Sequence, residues 1–156
     1  MRKLLLLPLI LWACGGSKDA PMDDSAAMAA MPAALTDADV TGSYAGATTV
    51  PADTMQNTTW TAWIMSDGMG GLAGKIVTAS APADTISFTQ TLSGDSTINT
   101  SAPFTPPGAA AGSPQMTWTS IGRTSGGNAW TGTVAWMVAG TDSVTMTGTW
   151  SATRTP

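Results

Sequence analysis

The chain has 156 residues, 10% of them charged, with a single cysteine, no histidine and a formal net charge of −4. Every acid is an aspartate, so the imidazole base of Ser-His-Asp and Cys-His constellations is missing, and so are most ligands of zinc sites. One cysteine excludes an internal disulfide, and an acidic chain without a basic stripe has no footprint for a phosphate backbone, which argues against nucleic acid as a partner.

The first predicted element covers residues 1–13. Arg2 and Lys3 precede an apolar run from Leu4 to Ala13, interrupted by Pro8. The run is shorter than the roughly 20 residues that span a hydrocarbon core, but it suits the apolar region of an export signal. It ends in Leu11-Trp12-Ala13-Cys14, followed by Gly15-Gly16-Ser17. This resembles the lipobox of bacterial lipoproteins. The resemblance implies that Cys14 becomes the mature N-terminus and carries palmitate-like acyl chains. With glycine rather than aspartate after the cysteine, it also implies sorting to the outer membrane, and so a location in the cell envelope. Two or three acyl chains suffice for anchoring, since each buried methylene contributes about 0.8 kcal/mol.

Residues 14–39 read as a linker. The stretch has no aromatic residue and carries five of the ten aspartates, and it cannot bury enough apolar surface to offset the cost of ordering. A flexible linker of this length spans roughly 25–30 Å. Met22, Met28 and Met31 are soft donors for Cu(I), but no His or second Cys joins them, so no metal is expected.

Residues 40–156 are predicted as one all-β domain. The clearest strand is Val144 to Arg154, where Val144, Met146, Gly148, Trp150 and Ala152 share one face and Ser or Thr fills the positions between. Trp130, Val134, Trp136 and Val138 repeat the pattern, as do Ile86, Phe88 and Leu92. From 58 to 65 both faces are apolar, with Trp60, Ala62 and Ile64 against Trp63 and Met65, which predicts a cover over the outer side. Gly- and Asp-rich turns divide the domain into eight strands near 40–49, 57–66, 71–80, 84–93, 95–102, 115–123, 128–139 and 143–154. Short connections predict an antiparallel meander, and eight strands with one apolar face close most economically into an up-and-down barrel. A β-sandwich is the alternative. Gly42-Ser43-Tyr44 on the first strand and Arg154 on the last resemble the lipocalin arrangement, in which a late arginine closes the barrel bottom beneath G-x-W. Here Tyr44 stands for the tryptophan. Gly148-Thr149-Trp150 is similar to avidin-type barrels, without their biotin contacts.

Asp53, Asp67, Asp84, Asp95 and Asp142 all fall in predicted turns, spread around the rims rather than paired as glycosidase chemistry requires. Asp67 to Gly74 lacks the further acids of a calcium loop. Neither catalysis nor a cofactor is expected. The inward aromatics Trp60, Phe88, Trp130, Trp136 and Trp150 suit either a packed core or an aromatic-lined pocket, for which Gly132 and Gly148 leave volume. Residues 101–114 form the one long connection, and Phe104, its one large apolar residue, is placed to cap a barrel mouth or touch a partner.

The expected function is that of a non-enzymatic envelope lipoprotein with a structural or protein-interaction role, anchored to the membrane through its N-terminal lipid. The alternative is binding of a small hydrophobic ligand inside the barrel. The first is preferred because no polar groups converge on the inward positions; an open cavity lined by Trp60, Trp136 and Trp150 would reverse the order.

Overall fold

Strands with hydroxyls on one face and bulky apolar groups on the other must bury the second face, and this chain does so by curling one sheet upon itself. The computed structural model describes residues 33–126 and 128–156. Eight antiparallel strands run in chain order around a closed barrel. They are β1 (Gly42–Thr49), β2 (Thr58–Ser66), β3 (Leu72–Thr78), β4 (Ala81–Ser93), β5 (Ser96–Ser101), β6 (Met116–Gly126), β7 (Ala129–Val138) and β8 (Val144–Thr155). β8 returns to β1, placing Tyr44 opposite Arg154 and Gly46 opposite Ala152. Every strand has a neighbour on each side, and the sandwich alternative falls. Register shifts at Val77/Thr78, Thr124/Gly126 and Trp136/Met137 supply the local bends that closure demands. Asp84, expected in a turn, lies exposed within β4.

One end of the barrel is plugged. Residues 35–39, assigned above to the linker, pack onto it together with Val40 instead. Leu35 N donates to the Gly94 carbonyl at 2.8 Å, tying the segment to the β4–β5 hairpin. Thr36 then caps α1 (Asp37–Val40), its backbone N–H and hydroxyl both donating to Asp39 Oδ2 at 2.8 and 2.6 Å. Those two bonds hold the Asp39 carboxyl below the ordinary aspartate range. Such a short helix has little stability of its own. Burial of its last residue docks it: Val40 is 1% exposed and joins the core cluster of Tyr44, Leu72, Phe88, Trp118, Trp130 and Val134.

The predicted closure pair, Tyr44 and Arg154, lies at this plug. The Tyr44 hydroxyl donates to the Val40 carbonyl at 2.7 Å, and burial raises its pKa. Arg154 Nη1 donates to the Ala38 carbonyl at 3.3 Å. Its guanidinium also lies over Gly42, which has φ +139° and where a Cβ would sit 2.7 Å from Arg154 Nε. Glycine is required there twice over, by backbone conformation and by space.

The predicted outer cover of β2 is not found. Trp63 and Met65 point outward and stay 42% and 57% exposed among the described residues. Val144, expected on the inner face of β8, is 53% exposed; the inward row of that strand starts at Met146, after the register shift. Cys14 and the rest of residues 1–32 lie outside the described residues.

Candidate functional site

The barrel interior holds a cavity of about 560 Å³, within the range of roughly 300–1,000 Å³ usual for small-molecule sites. Its floor is Val40 and Tyr44. Its mouth, at the opposite end, is rimmed by Met55 to Asn57 from the β1–β2 loop and by Pro106 to Gly108 from the β5–β6 loop. The aromatic residues Trp60, Phe88, Phe104, Trp130, Trp136 and Trp150, singled out from the sequence, all line this one space.

Glycines explain why so many rings leave room. Gly46 is the direct cross-strand partner of Trp60, Gly74 of Phe88 and Gly132 of Trp150. A Cβ at any of these glycines would overlap the facing ring, and Trp150 reaches on to Gly122 in the same way. Trp136 lies diagonally across from Gly148, 3.3 Å from where a Cβ would stand. Each ring therefore fills the space of a missing side chain and lies against the barrel wall rather than across the lumen. The sequence reading of Gly132 and Gly148 as open volume is thus corrected. The carbonyl oxygens of Ile121 and Thr49, with the Trp150 and Trp136 rings beside them, stand where those side chains would go.

The indole nitrogens of two rings are held by the wall. Trp60 Nε1 donates to Thr48 Oγ1 at 3.0 Å and Trp150 Nε1 to the Thr133 carbonyl at 3.2 Å. These two rings meet edge to face at 6.2 Å, and Phe88 packs against Trp118 at 5.5 Å. Trp118 also lines the cavity. It was missed because its strand alternates less plainly than β7 and β8. At the mouth, Phe104 exchanges two backbone hydrogen bonds with Met116, at 2.9 and 2.8 Å. The long connection is therefore pinned to the barrel where it passes Phe104.

Polar groups do converge inside, contrary to the expectation from sequence. Gln90 and Asn99 face each other across β4 and β5, and Asn99 Nδ2 donates to Ser120 Oγ on β6 at 3.1 Å. Ser101 Oγ, on the same inward row, accepts from the backbone N–H of Trp118 at 2.8 Å. Gln90 is only 4% exposed, and among the described residues its Oε1 has no hydrogen-bond partner. A buried acceptor left this way costs about 1–3 kcal/mol. Gln90, Asn99 and Ser120 all line the cavity, and among the described residues no charged side chain does.

The aspartates stay outside this space. Asp53 caps the short turn Thr54–Gln56 and Asp67 accepts from the N–H groups of Met69 and Gly71 in the β2–β3 hairpin. Asp95 lies 3.8 Å from Arg123 on the surface. Among the described residues no three His, Cys, Asp or Glu side chains come together. Comparison of the chain with protein-family models, with curated protein sequences and with solved structures gave no match.

Proposed function

We propose that this chain is a lipid-anchored protein of the cell envelope whose lipocalin-like barrel binds one small, largely apolar ligand without transforming it. The observation that carries the reading is the cavity itself: about 560 Å³, walled by aromatic faces and entered from one end. A core serving only stability packs to crystal-like density and has no use for such a space. Among the described residues the lining offers no carboxylate, imidazole or amine, which favours binding over catalysis. Cys14 supplies the anchor in this reading, and the segment between it and Leu35 supplies reach from the membrane.

The test is titration of the full chain carrying Cys14→Ser with the neutral fluorophore N-phenyl-1-naphthylamine. Saturable enhancement at one probe per chain is expected, lost when Ala62→Trp places an indole in the lumen. Absence of saturable binding would overturn the proposal.

A structural or protein-interaction role is the second reading. The exposed Trp63 and Met65 on the outer face of β2 favour it. In that case Trp63→Ser would abolish retention of a partner while leaving probe binding intact.

A further inference from the structure

The unpartnered oxygen of Gln90 narrows the chemistry of the ligand. We infer that the ligand is uncharged and enters with a hydrogen-bond donor leading, which Gln90 Oε1 accepts. This rests on the lumen being a ligand site, as proposed above.

Three observations lead there. The first is the lining, which among the described residues contains no charged side chain. A carboxylate or ammonium drawn into such a space would lose its water without gaining a counter-ion. Arg154, beneath the floor, gives Nη1 to the Ala38 carbonyl and lines no part of the cavity. Ionised fatty acids are therefore poor candidates, despite the apolar walls.

The second is the state of the polar groups. Asn99 Nδ2 is already given to Ser120, and the indole N–H groups of Trp60 and Trp150 are given to the wall. Gln90 lines the cavity, and its Oε1 is buried and, among the described residues, unpaired. Native interiors seldom tolerate such an atom without a use for it. An acceptor of this kind calls for an O–H or N–H from the ligand.

The third is position. Gln90 lies opposite Leu72, the first residue of β3, and next to Asn99 on β5. β3 rises from the hairpin at the plugged end, so the acceptor sits deep in the barrel, away from Met55 and Pro106 at the mouth. The polar head of the ligand thus goes in first, and its apolar body lies between the tryptophans. Long-chain or polycyclic alcohols and primary or secondary amides have this form.

The experiment compares three probes of similar length on the full chain carrying Cys14→Ser, by calorimetry at neutral pH: 1-decanol, decyl methyl ether and decanoate. Decanol is expected to bind about tenfold more tightly than the ether, the value of one hydrogen bond made in a dry site. Decanoate should bind at least as weakly as the ether. Gln90→Met should bring alcohol and ether to the same affinity. Should that variant not fold, the alcohol-to-ether ratio of the parent chain decides. Equal affinity of alcohol and ether, or decanoate binding as tight as decanol, would overturn this inference. So would binding of N-phenyl-1-naphthylamine without any preference for decanol, and in each of these cases the ligand site itself would stand. Failure of every probe to bind would overturn the ligand-site reading as well.

Discussion

Trp150 covers Gly132, its direct partner across β7 and β8, and a Cβ on that glycine would overlap the indole. The same relation joins Phe88 to Gly74 and Trp60 to Gly46. The glycines of the inward row thus set where the aromatic rings lie. They are fixed by packing, not by a turn.

Adding one methyl group at these positions should therefore be costly. Gly74→Ala and Gly132→Ala are each expected to destabilise the barrel by about 1–3 kcal/mol, the usual cost of overpacking a core. The facing ring must move toward the lumen, and at Gly132 the Ile121 carbonyl must give way as well, so probe affinity should fall together with the midpoint of urea unfolding. Gly140→Ala serves as the control for binding. Its φ is +80°, but nothing lies near the added Cβ, so stability should fall and affinity should not.

Tyr44 offers a second test, because it is the only tyrosine in the chain. Burial raises its pKa, and nearby Arg154 offsets this only in part. The protonated phenol is the form that the fold favours. Its contribution is thus complete below the unfolded value of about 10 and is lost as pH rises through the higher folded value. Ultraviolet titration of tyrosinate should show a midpoint above 10 in the folded chain that returns to about 10 in denaturant. Tyr44→Phe should cost about 1 kcal/mol, since it strands the Val40 carbonyl.

Asp67 behaves in the opposite sense. The backbone N–H groups of Met69 and Gly71 hold its pKa below the ordinary aspartate value. Its contribution is present above the unfolded pKa and is lost as pH falls through the depressed folded one. The amide proton shifts of Met69 and Gly71 should therefore titrate together, with a midpoint below about 3.9. In Asp67→Asn the titration should vanish.

The proposed anchor rests on Cys14. Cys14→Ala is expected to move the protein from the detergent phase to the aqueous phase on temperature-induced phase separation, because no acyl chain can then be attached. Unchanged partitioning would refute lipidation.

Much of the barrel was legible in the sequence. A period of two in the side chains, broken by Gly- and Asp-rich turns, located all eight strands, with ends displaced by a few residues. β4 starts three residues early, at Ala81, and takes in Pro82 and Asp84, although the same Pro-Ala-Asp-Thr sequence at 51–54 forms a turn. The plug was not legible. A four-residue helix leaves no periodic trace, and Leu35 and Val40 stand out only once the barrel beneath them exists. The polar pole was hidden for a different reason. In β5 and β6 the usual rule is inverted, with Ile98 and Ile121 paired on the outer face and Asn99 and Ser120 facing in. Read one strand at a time, amides and hydroxyls belong to the wet face. Only the register to β4, which sets Gln90 opposite Asn99, turns them inward.

Tryptophan orientation gives the most direct test of the account. Trp60, Trp118, Trp130, Trp136 and Trp150 line the lumen, whereas Trp63, three residues after Trp60 on β2, faces out. Indole N–H resonances of the isotopically labelled full chain carrying Cys14→Ser, recorded during titration with N-phenyl-1-naphthylamine, report on each ring separately. The lumen indoles should shift together and saturate at one probe per chain, while Trp63 stays in place. Movement of Trp63 with the other five unchanged would locate binding on the outer wall and contradict the account.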